Sequence, residues 1–83
     1  MTEGYRARLH QARTDAGMSQ RGLAERIGCS DSTISQVETG HRELTASKLF
    51  AWCEACQVSV DWVAWDAPRS GALSAQREGL VHA

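Results

Sequence analysis

Through the first 68 residues, apolar positions recur at three- and four-residue intervals, and the count restarts at each glycine or small polar residue. In "YRARLHQARTDAG", Tyr5, Leu9, Ala12 and Ala16 fall at i, i+4, i+7 and i+11. This spacing predicts a first helix with one inward face, stopped at Gly17. Arg6 and His10 lie off that face, and Arg13, four residues after Leu9, lies on its edge. "MSQRGLAERIG" predicts a second helix capped by Ser19, with Met18 and Leu23 at the positions of a hydrophobic staple. Leu23, Ala24 and Ile27 form its inward stripe and Gly28 its end. Gly22 interrupts this helix at a cost of about 1 kcal/mol relative to alanine, and close packing against another helix would account for it.

A third helix is predicted from the cap Ser30 to Gly40, with Cys29 and Ile34 repeating the staple and Ile34 and Val37 facing inward. Thr45 caps a fourth, whose Leu49, Trp52, Cys53 and Cys56 share one face. Ser59 caps a short fifth, clipped by Val58 and Val63 and stopped by Pro68. No strand pattern occurs, so the expected fold is all-α, five helices in one domain over residues 1–68. Its second and third helices form a helix-turn-helix. Residues 69–83 are rich in Ser, Gly and Ala and lose the periodicity. They read either as a flexible tail or as an arm ordered by a partner subunit.

Composition changes this picture little. The 83-residue chain carries a net charge of −1, which argues against a basic protein that coats nucleic acid without selectivity. Arg6, Arg8, Arg13, Arg21, Arg26, Arg42 and Lys48 nevertheless all precede residue 50, so a basic face on a neutral protein is available. No membrane span or signal peptide is read, and the expected location is cytoplasmic. Cys53 and Cys56 form a C-x-x-C, but Cys29 and the histidines offer no second ligand pair at zinc spacing. They read as small apolar groups on a buried helix face. No metal, cofactor or catalytic residue is called for.

The third helix carries the functional signal. Ser32, Ser35, Gln36 and Thr39 stand at i, i+3, i+4 and i+7 and make one polar face, with Thr33, Ile34, Val37 and Glu38 on the other. Short hydrogen-bonding side chains of this kind suit a solvated surface, and they equally suit base edges in a major groove. Grip on phosphates would then come from elsewhere. Gln20 and Arg21 stand at a helix N-terminus, and Arg42 and Lys48 lie beyond the third helix.

"MSQRGLAERIGCSDSTISQVETGHREL" followed by "KLFAWCEACQVSVDWV" resembles the Cro-type, lambda-repressor-like helix-turn-helix proteins, the Xre family, from about Arg13 to Val63. The resemblance implies a third helix that reads double-stranded operator DNA, with base contacts from Asp31, Ser32, Ser35 and Gln36. It implies phosphate contacts from Gln20 and Arg42, a two-fold dimer, and a bond between Glu38 and Arg13. It matches Trp62 to a core tryptophan, which leaves Trp65, with Val63, as a dimer-surface candidate or as packing within the fifth helix. Leu44 stands where the family often has proline and Gln57 where it often has glycine, and Asp31 is an acid placed beside phosphates. The leading expectation is a dimeric repressor of transcription without enzymatic activity. The alternative is a protein-interaction module or antitoxin component that engages a protein partner through its C-terminal tail.

Overall fold

A computed structural model describes residues 1–68. Five helices follow one another: α1 Tyr5–Asp15, α2 Gln20–Ile27, α3 Asp31–Thr39, α4 Ala46–Cys56 and α5 Val60–Trp65. Residues 69–83, and with them the expected tail or arm, lie outside the described residues.

Four of the five helices start in the same way. Ser19, Ser30, Thr45 and Ser59 adopt extended backbone, and each side-chain oxygen accepts the N–H three residues on. A donor left without a partner by the first helical turn is thereby satisfied. Helix α1 differs: Gly4, at φ +83°, precedes it with no side-chain cap. Helix α4 ends on Gln57 in the left-handed region at φ +57°, the position where glycine is the easier residue. The Val58 N–H closes that end on the Cys53 carbonyl at 3.0 Å.

Leu9, Leu23, Ile34, Val37, Trp52 and Val63 are fully buried and come from all five helices. Trp52 also contributes a polar tie, its indole N–H donating to the Leu9 carbonyl at 3.1 Å. Met18, Cys29 and Val58, the residues preceding three of the caps, pack half-buried against this cluster. Helix α1 lies across α3, α4 and α5, and α2 packs against α3 and α4. The end of α5 is held by the N-terminal segment. Arg8 Nε donates to the Val63 carbonyl at 2.8 Å, and the Thr2 N–H donates to the Ala64 carbonyl at 2.7 Å.

Three expectations are corrected. Ala16 is exposed, because α1 has already ended at Asp15 and the helical spacing no longer applies. Gly22 is not pressed by another helix: a Cβ there would meet only its own cap, Ser19 Oγ, at 3.2 Å. Val63 belongs to the chain's own core, and its side chain is not available to a second subunit. Trp65, two residues on, is 60% exposed.

Candidate nucleic-acid interface

Helix α3 divides cleanly into two sides. Thr33, Ile34 and Val37 are buried, whereas Asp31 and Ser32 are exposed and Ser35 and Gln36 half-buried. Thr39 is exposed, but its hydroxyl donates to the Ser35 carbonyl at 2.9 Å and stands 2.8 Å from His41 Nδ1. It is engaged within its own helix end, which narrows the presenting face to Ser32, Ser35 and Gln36. Asp31 occupies the first turn, directly after the Ser30 cap. A carboxylate there faces the positive end of the helix dipole, which gives Asp31 a structural role independent of any ligand.

Behind this face lies a four-residue junction. Glu38, with a side chain only 5% exposed, accepts from Arg13 Nε at 2.7 Å and Arg13 Nη2 at 3.3 Å. Gln20 Nε2 donates to the same carboxylate at 3.1 Å, and His10 Nδ1 stands 3.2 Å from it. Arg13 Nη1 also donates to the Met18 carbonyl at 2.9 Å, in the turn between α1 and α2. One buried ion pair thus fixes α1, α2 and α3 relative to one another. Burial alone would push the Glu38 carboxyl up. The hydrogen bonds from Arg13, His10 and Gln20, with the Arg13 charge, outweigh burial and hold it below its ordinary value.

The structure distributes the expected phosphate grips unequally. Gln20 has one amide N–H directed at Glu38, which leaves the other and its backbone N–H at the start of α2. Arg21 is exposed and shares the surface with Glu25 at 3.4 Å. Arg42 turns back onto α3, its Nε donating to Gln36 Oε1 at 2.8 Å. Lys48 is half-buried on α4, a helix that packs on α1, α2 and α5.

Residues 9–63 match the family described as helix-turn-helix. The chain belongs to that family. This helix-turn-helix domain superposes on the P22 c2 repressor protein, solved in complex with synthetic operator 9T, with a TM-score of 0.71 at 27% identity. That match covers 80% of this chain and 100% of the other. The clp gene regulator ClgR from Corynebacterium glutamicum gives a TM-score of 0.71 at 34% identity, covering 96% of this chain and 85% of the other. An uncharacterized transcriptional regulator in the ATPase CF(0) region of Rhodospirillum rubrum is 36% identical over 62 residues, 75% of this chain and 57% of its own length. The helix-turn-helix chain therefore spans a little over half of that relative. These likenesses give residues 9–63 the lambda-repressor-like helix-turn-helix fold of DNA-binding regulators of transcription.

Within the helix-turn-helix domain, Arg6 has a role that its place off the apolar face of α1 does not reveal. Its Nη1 donates to the carbonyls of Val37 and Arg42, closing the C-terminal end of α3. Arg6 and its Val37 partner are 31 positions apart, and a basic residue off the apolar face carries no signature of such a contact. His10, also off that face, stands 3.2 Å from both Arg13 Nη2 and Glu38, and the contact to Glu38 is 28 positions away in sequence. The C-x-x-C pair lies on the buried face of α4, and burial, with Cys56 nearby, pushes the Cys53 thiol up to about 11. The nucleophilic thiolate is therefore suppressed at neutral pH. Among the described residues no cluster of metal-binding side chains forms, and no helix is long and apolar enough to cross a membrane.

Proposed function

We propose that this chain is a sequence-specific, homodimeric repressor of transcription that lays α3 in the major groove of an inverted-repeat operator. The observation that carries the reading is the two-sided character of α3. Its apolar side is sealed into the core, and its outer side offers Ser32, Ser35 and Gln36 with no long charged side chain of its own to obstruct close approach. Asp31, Ser32, Ser35 and Gln36 would meet base edges, and Gln20, Arg21, Arg42 and Lys48 would meet phosphates on either flank. Two subunits compensate for the few cations on each, since joining half-sites multiplies affinity without new contacts. Trp65, which with Phe50 is an exposed aromatic among the described residues, is the candidate for that pairing. The protein would act where the DNA is, in the cytoplasm, by occupying a promoter.

Selection from a random double-stranded DNA library, followed by binding titrations at several salt concentrations, tests this. The expected result is enrichment of an inverted repeat whose affinity falls linearly on logarithmic axes as salt rises. Gln36→Ala is expected to relax one base step per half-site at about 1–3 kcal/mol per contact. A protein that enriches no sequence, yet retains a protein partner through residues 69–83, would support the interaction-module reading instead.

A further inference from the structure

Three side chains from α1 and α2 converge on one oxygen of Glu38. Gln20 Nε2 donates to Oε1 at 3.1 Å, Arg13 Nη2 donates to it at 3.3 Å, and His10 Nδ1 stands 3.2 Å from it. The carboxylate is 5% exposed, yet the side chain of His10 is 56% exposed. One edge of the ring is therefore anchored on the buried junction, and the rest reaches solvent beside Gln20, which keeps a second amide N–H. The charged groups around the ring are engaged elsewhere. Arg6, one turn earlier on α1, is turned to the Val37 and Arg42 carbonyls, and Arg13 is paired with Glu38. From α2 come the uncharged Gln20 and Arg21, which pairs with Glu25. Among the described residues the carboxylate paired with His10 is that of Glu38, and no ion pair joins His10 to α4 or α5.

The two edges of the ring make different demands. A carboxylate only accepts, so Nδ1 must carry a proton to bond Glu38. In a neutral imidazole that proton leaves Nε2 bare, an acceptor toward solvent. The other neutral tautomer lets Nδ1 accept from Arg13 Nη2, also 3.2 Å away, but sets its lone pair against the Glu38 oxygen. Only the imidazolium donates at both edges, inward to the carboxylate and outward from Nε2. An anion at the outer edge then balances the site, two cations (Arg13 and His10) against two anions (Glu38 and the newcomer). We infer that His10 is a DNA-contacting residue, its imidazolium anchored on Glu38 and donating from Nε2 to the same backbone phosphate as Gln20. This assignment rests on the operator-binding function proposed above, and adds a phosphate contact that forms with uptake of a proton from solvent. Operator affinity should therefore fall as pH rises through the range in which histidines lose their protons.

The test titrates wild type, H10A, H10Q, H10K and H41A with a duplex that wild type enriches from a random library, at about pH 6 and about pH 8 over a range of salt. H10Q keeps an amide able to donate to Glu38, so it removes the titratable ring while sparing the junction. Wild type is expected to bind about tenfold more tightly at the lower pH, with a salt slope steeper there by about one phosphate contact. H10A and H10Q are expected to lose both differences, and H10K to keep the steep slope at both pH values. H41A is expected to respond to pH as wild type does, since His41 stands against Thr39 at the C-terminal end of α3. A scan of duplexes carrying single methylphosphonates locates the contact. The phosphate whose neutralisation no longer weakens H10A should be the one to which Q20A is also insensitive. A wild type with equal affinity at both pH values overturns the inference. So does a loss in H10A and H10Q that leaves the salt slope and pH response unchanged, or a different phosphate for H10A and Q20A. Each of these leaves operator reading intact, whereas a wild type that enriches no sequence overturns both.

Discussion

Arg13 and Glu38, 25 positions apart in sequence, form an ion pair with a shortest N–O distance of 2.7 Å and side chains 9% and 5% exposed. The pair lies where α1, α2 and α3 meet, with Gln20 and His10 on the same carboxylate. Its position immediately behind the α3 outer face makes it the element that sets the angle at which that face is presented.

Removing one partner should therefore destabilise the whole domain. Glu38→Ala leaves the Arg13 guanidinium buried without a counter-charge, an effect of about 3–5 kcal/mol. Arg13→Met combined with Glu38→Leu should recover a large part of that loss, since apolar replacement of a buried pair is often close to neutral. Chemical denaturation of Arg13→Met, Glu38→Leu and the double variant checks this. Equal and additive losses would show that the pair is not coupled.

The same carboxylate predicts an acid limb in stability. Glu38 titrates below its ordinary value of 4.5 in the folded protein, so the unfolded chain binds its proton first as pH falls. The contribution is complete above about pH 4.5 and is lost progressively as pH drops through the folded value. Denaturation midpoints of wild type and Glu38→Ala should therefore differ by a constant amount at neutral pH and converge in acid. A difference that holds unchanged into strong acid would remove Glu38 as its source.

Asp31 combines two opposing effects that can be separated. At the first turn of α3 its carboxylate favours the helix, and Asp31→Asn should cost about 0.3–1 kcal/mol of stability at low salt. Under the proposed function the same change removes a negative charge from beside the phosphates. Affinity for random-sequence DNA should then rise, while the base preference at the step facing Asp31 weakens. Thermal melts and competition titrations measure the two effects independently, and a variant weaker in both assays would contradict the assignment to the DNA-facing surface.

Much of this architecture was legible because its determinants are local. Ser19, Ser30, Thr45 and Ser59 each cap a helix by accepting an N–H three residues away, and the inward stripes of α2, α3 and α4 follow helical spacing. The contacts that shape the candidate interface are not local. Arg6 and Arg8 bond carbonyls 31 and 55 positions away, and a carbonyl as acceptor is invisible in a side-chain pattern. The Arg42–Gln36 bond spans six positions but crosses the reversal at Gly40, so helical spacing does not reveal it. A glycine inside a helical pattern, such as Gly22, does not show in sequence what lies beside it, and here that is only Ser19 Oγ, at 3.2 Å from where a Cβ would stand. Helix α5 is only six residues long, too short for periodicity to say which of Val63 and Trp65 points outward.

That last ambiguity yields a paired prediction. Val63 is fully buried, so Val63→Ala removes packed methyl groups and should cost about 2 kcal/mol of stability, whatever the oligomeric state. Trp65 is 60% exposed at the end of α5, so Trp65→Glu removes few contacts within the domain. Under the proposed dimer it would instead place a desolvated charge in the contact between subunits. Analytical ultracentrifugation should find Trp65→Glu monomeric at concentrations where wild type and Val63→Ala are dimeric. Its affinity for a full inverted repeat should fall toward that for a single half-site, while a lone half-site is bound as before. If Trp65→Glu remains dimeric, pairing runs through another surface. If wild type is itself a monomer both free and on DNA, the two-subunit reading fails, leaving the buried role of Val63 unaffected.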